Sequence, residues 1–123
     1  MTISIDYHGT YLEHPAFFDA MANSMQMAGH RVGIITGVRE KEYDENNRLV
    51  SRREEILRHL GFVPDFLHLW GENETIANGN IWKIHRMIEE DVEVHFDDDA
   101  REMKKLTTRQ VIKTMCVGEQ EKF

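Results

Sequence analysis

Three side chains with oxygen ligand atoms follow short apolar runs of the β-strand type. Asp6, Thr36 and Asp97 each come directly after such a run. Because ligands of open parallel sheets bind outside the carboxyl ends of the strands, these three residues are the first candidates for a binding site. Asp97 also continues a strand of buried type, where a carboxylate is costly without a partner or an ion. The positions therefore predict a polar site in which Asp97 has a partner or an ion.

The elements that must position these residues alternate between strand and helix patterns, as in a parallel sheet with crossover helices. The predicted strands lie at 3–5, 32–35, 64–70, 92–96 and within 111–117. Helices are predicted from Pro15 to Gly29, from Ser51 to Gly61, across Ile81 to Ile88 and from Ala100 to Leu106. This pattern predicts an α/β fold with a mainly parallel sheet of about five strands. Residues 1–117 form the predicted single domain, and 118–123 are expected to be a disordered tail.

Local signals mark the ends of two of these helices. Pro15 stands where a first helical residue belongs, and Gly29 stands where a C-terminal cap belongs. Ser51 and Glu54 form a capping-box pattern at the start of the second helix. The polar stretch 39–48 between the two helices is interpreted as a small specificity loop or hairpin.

The composition excludes several classes of protein. A chain of 123 residues that is 41% hydrophobic and 30% charged is typical of one globular domain and not of a disordered or fibrous protein. No apolar stretch approaches the roughly 20 residues that cross a bilayer. The net charge of −7 argues against a broad nucleic-acid surface, although it leaves a local basic groove open. The single cysteine, Cys116, cannot form an internal disulfide, which favours a reducing compartment, and we expect the cytoplasm.

The order of the polar motifs resembles that of the haloacid dehalogenase (HAD) superfamily of phosphohydrolases. The first motif of that family, Asp-x-Asp-Gly-Thr, is similar to Asp6-Tyr7-His8-Gly9-Thr10. The second motif, a Thr or Ser that ends the second strand, is similar to Thr36-Gly37. The third motif, a Lys at the start of a later helix, is similar to Lys83. The fourth motif, an acidic pair after a strand, is similar to Asp97-Asp98. The four matches follow the family order, and the resemblance implies a three-layer, Rossmann-like fold.

A two-component receiver domain is the competing family, because it has about this length and also uses Asp, Thr and Lys. Receivers place an acidic pair after the first strand and the phosphorylated Asp after the third. In this chain the first predicted strand ends in the single Asp6, and the acidic run follows the fourth. That order disfavours a receiver.

The HAD resemblance implies hydrolysis of phosphomonoesters through an aspartyl-phosphate on Asp6, which is covalent catalysis by a carboxylate. Negative charge gathers on the phosphoryl oxygens during transfer, so a hydroxyl donor and a fixed ammonium are needed, here Thr36 and Lys83. The residues implied to bind the substrate are Gly9, Thr10, Thr36, Gly37 and Lys83.

The resemblance also implies a Mg²⁺ cofactor, a cation that prefers oxygen ligands. The implied ligands are the Asp6 carboxylate, the backbone carbonyl of His8 and the Asp97 carboxylate. Asp98 is expected to be a second acidic ligand or a hydrogen-bonded partner of the ligands.

His8 is the main departure from the family pattern, because HAD hydrolases carry an Asp there as general acid and base. Such proton transfer typically contributes about 10²–10⁴-fold, so its loss leaves a slow enzyme or none. Histidine changes its charge near neutral pH and is also able to protonate a leaving oxygen. The sequence leaves both outcomes open.

Simpler roles compete with some of these assignments. Asp99 is better explained as a cap of the helix that begins at Ala100. Lys83 taken alone would be a solvated helix residue, although a cation in the first turn opposes the helix dipole. A zinc site is not expected, because none of the seven histidines forms a His-x-x-x-His pair. Trp70 and Trp82 are expected to pack in the core, with the lining of a substrate entrance as the alternative.

Two functions remain as hypotheses. The stretches between Asp6, Thr36 and Lys83 are filled by predicted loops, helices and a strand, so there is no room for a full HAD cap domain. The first hypothesis is a capless Mg²⁺-dependent phosphatase acting on a phosphorylated substrate of unknown class, with no membrane partner and no strong nucleic-acid signal. The second is a HAD-fold binding or regulatory module that keeps the phosphate and metal pocket without turnover. The oligomeric state is left open.

Overall fold

The computed structural model of the chain describes residues 1–71, 79–99, 101, 103 and 113–116. The strands are β1 (Thr2–Ile5), β2 (Arg31–Arg39), β3 (Lys41–Tyr43), β4 (Leu49–Ser51), β5 (Leu67–Trp70), β6 (Val94–Asp97) and β7 (Lys113–Cys116). The helices are α1 (Pro15–Met27), α2 (Arg52–His59) and α3 (Gly79–Glu89), and a π-helical turn covers Tyr7–Tyr11.

The main sheet has five strands in the order β5-β2-β1-β6-β7, and each neighbouring pair is parallel. Ile5 in β1 is in register with Ile34 in β2 on one side and with Phe96 in β6 on the other. The carboxyl ends of these three central strands therefore meet at one edge of the sheet. The predicted α/β fold with a mainly parallel sheet is confirmed.

Helices cover both faces of this sheet. Alternate strand residues point to opposite sides, so apolar residues lie on both faces and both need to be covered. On one face, apolar residues of β1 and β2 pack against α1 and α2; the main members are Ile3, Ile5, Val32, Ile34, Phe18, Ala22 and Ile56. On the other face the core includes Ile35, Phe66, Trp82 and Met87, the last two from α3. The face toward α3 also carries the polar side chains of the sheet described below.

The helix ends agree with the sequence signals only in part. Pro15 begins α1, and Gly29 follows its end with a φ of +90°, a conformation that favours glycine. Ser51 precedes α2 with extended backbone, but its side chain makes no capping hydrogen bond, so the predicted capping-box bond is not formed. The buried face of α3 also differs from the predicted apolar stripe, since Ile88 is 58% exposed whereas Lys83 is buried.

The polar stretch 39–48 contains β3 and the turn of an antiparallel hairpin, whose second strand, β4, lies just beyond the stretch; the hairpin is separate from the main sheet. Asp44 closes its turn, because the Asp44 carboxylate accepts hydrogen bonds from the backbone N–H groups of Asn46 and Arg48. This agrees with the loop or hairpin expected from the sequence.

Several predictions fall partly or wholly outside the described residues. Of the predicted helix at 100–106, only Arg101 and Met103 are described, and the tail at 118–123 is not. The backbone carbonyl of Asp99 accepts a hydrogen bond from the Met103 N–H, as at a helix start, while its carboxylate accepts one from Asn80. No helix within the described ranges combines the length and the apolar character needed to cross a membrane.

Candidate functional site

The parallel register brings Asp6, Thr36 and Asp97 to the same edge of the sheet. Asp6 follows β1 and Asp97 ends β6, whereas Thr36, predicted to follow the second strand, lies inside β2 just before the register shift between Thr36 and Arg39; all three are buried. The backbone N–H of Asp6 donates a 2.9 Å hydrogen bond to the carbonyl of Phe96, which fixes the end of β1 against β6. The grouping expected from the strand ends is therefore present in the fold.

Lys83 joins these residues from α3. Its ammonium nitrogen Nζ lies 3.0 Å from Asp97 Oδ2 and 3.3 Å from Asp6 Oδ1, and the residue is only 8% exposed. Because α3 begins at Gly79, Lys83 lies in the second turn of the helix and not the first. The alternative prediction, that Lys83 is a solvated helix residue, is therefore wrong.

The π-helical turn after β1 places the remaining residues of the first motif. His8 is extended, with φ −71° and ψ 136°, and Gly9 has a φ of +76°, so the chain reverses sharply at this point. A Cβ atom at Gly9 would come within 2.3 Å of Asp98 Oδ2, which leaves space for glycine only. The buried Thr10 hydroxyl accepts a hydrogen bond from the Asp98 N–H at 3.1 Å. Gly9 and Thr10 therefore hold Asp98 against this turn.

His95 is a residue of this site that the sequence analysis did not single out. It is fully buried, with Nε2 2.9 Å from Asp97 Oδ2 and Nδ1 2.6 Å from the Ser4 hydroxyl. A carboxylate only accepts, so Nε2 carries the hydrogen and Nδ1 accepts the hydroxyl hydrogen of Ser4. His95 and Asp97 alternate with apolar Val94 and Phe96, which is the sequence signal that would have placed both polar groups on one face of the sheet.

The Asp97 carboxylate is thus held from three directions. Oδ2 accepts from Lys83 and His95, and Oδ1 accepts from the backbone N–H of Asp99 at 2.9 Å. Burial acts to raise the pKa of Asp97, but these hydrogen bonds and the charge of Lys83 outweigh it and hold the pKa well below its usual range. Burial likewise acts to lower the pKa of Lys83, and the carboxylates of Asp6 and Asp97 outweigh it and raise that pKa. Lys83 and Asp97 therefore form a buried ion pair.

Asp6 shares the Lys83 ammonium with Asp97, and the distance from Nζ is longer to Asp6 Oδ1, at 3.3 Å, than to Asp97 Oδ2, at 3.0 Å. Burial raises its pKa to about 7, and the neighbouring Asp97 adds to the rise while Lys83 opposes it. Asp6 Oδ1 is buried and accepts no hydrogen bond from any residue that the structure describes. A buried carboxylate oxygen without a hydrogen bond is costly, and the ammonium that Asp6 shares with Asp97 compensates its charge only in part.

Three carboxylates of the site are close enough to share a cation. Asp6, Asp97 and Asp98 each offer one oxygen atom, and these atoms all lie within 4.8 Å of one another. Burial and the nearby Asp97 charge also raise the pKa of Asp98, as expected for acids that crowd together. Oxygen donors and an excess of negative charge over the single Lys83 ammonium suit a hard divalent cation.

The site opens to solvent through a cleft of about 380 Å³. Its wall includes the predicted residues Asp6, His8, Thr36, Gly37 and Lys83. The same cleft is also lined by Arg39, Glu42 and Arg52, which the sequence analysis missed because they lie in the polar stretch at 39–48 and at the start of α2 and match no motif. The structure therefore brings together the residues proposed for catalysis and adds basic groups at the mouth of the cleft.

Comparisons of the chain with protein-family models, with curated proteins and with solved structures give no match. The functional interpretation of the site therefore depends on its residues and their geometry, together with the motif resemblance described above.

Proposed function

We propose that this protein is a Mg²⁺-dependent phosphohydrolase of the HAD type that cleaves phosphomonoesters through an aspartyl-phosphate on Asp6. The observation that carries the proposal is the state of Asp6, a buried carboxylate with an unsatisfied oxygen beside Lys83 at the base of an open cleft. A structural carboxylate would be expected to have its oxygens satisfied by hydrogen bonds. The strand order also supports the HAD type, since the strand before Asp6 lies between those that carry Thr36 and Asp97.

The chemistry begins with attack of an Asp6 carboxylate oxygen on phosphorus. The new P–O bond forms as the ester P–O bond breaks, and the leaving oxygen takes up a proton from solvent and departs as an alcohol. Water then attacks the phosphorus of the aspartyl-phosphate, the P–O bond to Asp6 breaks, and the proton that water loses returns to solvent, which releases inorganic phosphate and restores the Asp6 carboxylate. Both steps gather negative charge on the phosphoryl oxygens, so catalysis depends on groups placed to bind that charge.

Thr36 and Lys83 are the groups of this chain suited to that role. The Thr36 oxygen accepts a hydrogen bond from the Val38 N–H at 3.4 Å. The Thr36 hydroxyl donates a hydrogen bond to the Asp6 carboxylate, which lowers the pKa of that acid, and it would turn to a phosphoryl oxygen when substrate binds. Lys83 lies between Asp6 and Asp97 and supplies a fixed positive charge at the nucleophile. These contacts lower the energy of the charge-rich transition state more than that of the free ester.

The residues present fit a Mg²⁺ ion, because Asp6, Asp97 and Asp98 each offer an oxygen atom to one cluster. Those three carboxylates, with the backbone carbonyl of His8, would hold the ion. When bound, the ion supplies positive charge for the phosphoryl oxygens and for the Asp6 carboxylate. Its charge would also favour the ionised form of Asp6 that attack requires.

Hydrolysis of a broad panel of phosphomonoesters, with Mg²⁺ or with chelator, tests this proposal. We expect phosphate release that requires Mg²⁺ and is lost in Asp6→Asn. Asp91→Asn is the matched control, because Asp91 is exposed with a φ of +54°, which asparagine tolerates well. Phosphate release that is equal in the folded Asp6→Asn variant and in the unmodified protein would contradict the proposal.

The alternative function is a binding module that holds phosphate and Mg²⁺ without turnover. One observation favours it: His8 occupies the position at which HAD hydrolases carry their acid–base Asp. The two functions differ in a measurable way, since a module binds phosphate with Mg²⁺ but releases none from any ester of the panel.

A further inference from the structure

A second, larger cavity of about 540 Å³ adjoins the catalytic cleft. It lies between the β3–β4 hairpin and the end of β5, and its wall includes Lys41, Tyr43 and Trp70. Arg39 and Glu42 line both cavities, so the second space continues directly from the cleft that contains Asp6. A substrate whose phosphate lies at Asp6 can therefore extend its leaving group into this space.

The walls of the second cavity offer aromatic and apolar surfaces. Tyr43 and Leu49 are register partners across the hairpin and are 70% and 51% exposed. The Trp70 ring is packed on the buried Trp82 ring, with 6.4 Å between centroids and an angle of 16° between planes. Trp70 is thus held in place from behind, while Tyr43 and Leu49 present apolar surface to solvent. Such an arrangement suits a flat ring in the leaving group.

The same cavity is locally basic in a chain of net charge −7. Among the described residues, neither Arg39 nor Lys41 forms an ion pair with a carboxylate, while Glu42 lies 3.5 Å from Arg52 and is thereby compensated. The Arg39 guanidinium lies 6.0 Å from the centroid of the Trp70 ring. Two cations beside aromatic rings suit a ligand that carries both a flat ring and a further negative charge.

We propose, as a deepening of the proposed phosphohydrolase function, that this cavity is the leaving-group subsite and that the substrate is a phosphorylated nucleoside with a second phosphate. The phosphate to be cleaved lies at Asp6, the base lies between Tyr43 and Trp70, and the second phosphate lies beside Arg39 and Lys41. Stacking uses the flat face that every base has, so we expect little discrimination among bases.

Binding to the Asp6→Asn protein with Mg²⁺ tests this subsite without requiring turnover. The probes are adenosine 3′,5′-bisphosphate, adenosine 5′-monophosphate and ribose 5-phosphate. We expect the base to tighten binding by roughly 5- to 150-fold, in line with stacking of one base on an aromatic side chain. The second phosphate is expected to tighten it further, by an amount that falls as salt concentration rises.

Variants of exposed cavity residues locate the contact. Tyr43→Ala should remove most of the gain from the base and Tyr43→Phe should keep it, whereas Phe17→Ala, which truncates an exposed aromatic residue of α1, should not change it. Lys41→Ala should remove most of the gain from the second phosphate. Arg58→Ala on α2 removes an exposed positive charge outside both cavities and serves as its control.

The outcomes separate this inference from the proposed function. Equal binding of adenosine 5′-monophosphate and ribose 5-phosphate, or equal losses in Tyr43→Ala and Phe17→Ala, would overturn the subsite and leave the phosphohydrolase proposal standing. Tyr43-dependent binding of the nucleotides, with no Mg²⁺-dependent release of phosphate by the unmodified protein, would support the subsite and overturn the proposed hydrolysis.

Discussion

The buried imidazole of His95 donates a 2.9 Å hydrogen bond to the carboxylate of Asp97, two residues later on the same strand. The other ring nitrogen of His95 contacts the Ser4 hydroxyl on the neighbouring strand. An acid that is oriented by a buried partner keeps its geometry when a cation binds. Asp97 is therefore a preorganised group of the site, whereas Asp6 Oδ1 lies 3.3 Å from Lys83 Nζ and accepts no hydrogen bond from the described residues.

His95→Leu should uncouple Asp97 from this support. We expect a loss of roughly 1–3 kcal/mol in the free energy of unfolding, because one side of a buried hydrogen-bonded pair is removed. We also expect a 10- to 100-fold loss in Mg²⁺ affinity. His95→Gln, whose amide is able to donate to Asp97, should keep more of that affinity than His95→Leu. Denaturant unfolding and metal titration measure the two effects, and equal Mg²⁺ affinities in the folded variants would contradict the role of His95.

Asp6→Asn should stabilise the metal-free protein, and more so at higher pH. The folded-state pKa of about 7 lies above the ordinary value of 3.8, so between these values the folded state binds more protons than the unfolded state. The stability that protonation of Asp6 contributes to the wild-type protein is therefore lost progressively as pH rises from about 4 to 7, and that loss is complete above pH 7. The advantage of Asp6→Asn should grow over this window and reach a few kcal/mol at most. Unfolding in chelator at pH 5 and pH 8, with Asp91→Asn as control, measures it; an advantage that shrinks with pH would be inconsistent with a raised pKa.

Lys83→Met should destabilise the metal-free protein by about 3–5 kcal/mol, because it leaves the carboxylates of Asp6 and Asp97 buried without their common cation. Mg²⁺ should restore more stability to this variant than to the wild type, since a bound cation replaces part of the missing charge. Melting temperatures with and without Mg²⁺ test this, with the exposed Arg58→Met as the matched control. The same Mg²⁺-induced shift in all three proteins would argue against a cation site next to Lys83.

Gly9→Ala should weaken Mg²⁺ binding as well as stability. Both Gly9 and Gly29 have a positive φ, which strains any other residue. A Cβ atom at Gly9 would also collide with the Asp98 carboxylate, whereas a Cβ atom at Gly29 would meet no atom within 4 Å. Gly29→Ala therefore controls for backbone strain alone, which costs roughly 1–2 kcal/mol. We expect both variants to lose stability and only Gly9→Ala to lose Mg²⁺ affinity. Unchanged metal binding in Gly9→Ala would remove Asp98 from the ligand set.

His8→Asp should raise Mg²⁺-dependent turnover if acid–base catalysis is what the native site lacks, with an increase of up to about 10²–10⁴-fold. His8 lies at the wall of the cleft and is exposed, so the substitution is expected to be tolerated by the fold. Steady-state hydrolysis of the best ester of the panel is the measurement. A folded variant with no gain would favour the binding module, or a native role of His8 that aspartate does not replace.

The sequence by itself determined the α/β architecture with a mainly parallel sheet and which residues meet in the candidate site. Strand and helix patterns are local, and a parallel sheet places the carboxyl ends of its strands at one edge, so the order of residues is enough to group Asp6, Thr36 and Asp97. Local composition predicted a loop or hairpin at 39–48, but not that its second strand lies at Leu49–Ser51. The motif order also suggested a chemical role for Lys83, but it did not predict that Lys83 is buried between Asp6 and Asp97.

Only the tertiary structure decided which faces are buried and which distant residues meet. The apolar pattern of α3 predicted that Ile88 is buried, but Ile88 is exposed and Lys83 is buried against the sheet. The face that a helix buries depends on its whole interface with the sheet, not on its own pattern alone. The contact between Ser4 and His95 spans 91 positions, and no local pattern encodes such a distance. The second cavity likewise depends on Arg39, Tyr43 and Trp70, which come from three separate strands. Contacts of this kind arise only when long-range packing selects one arrangement of the locally predicted elements.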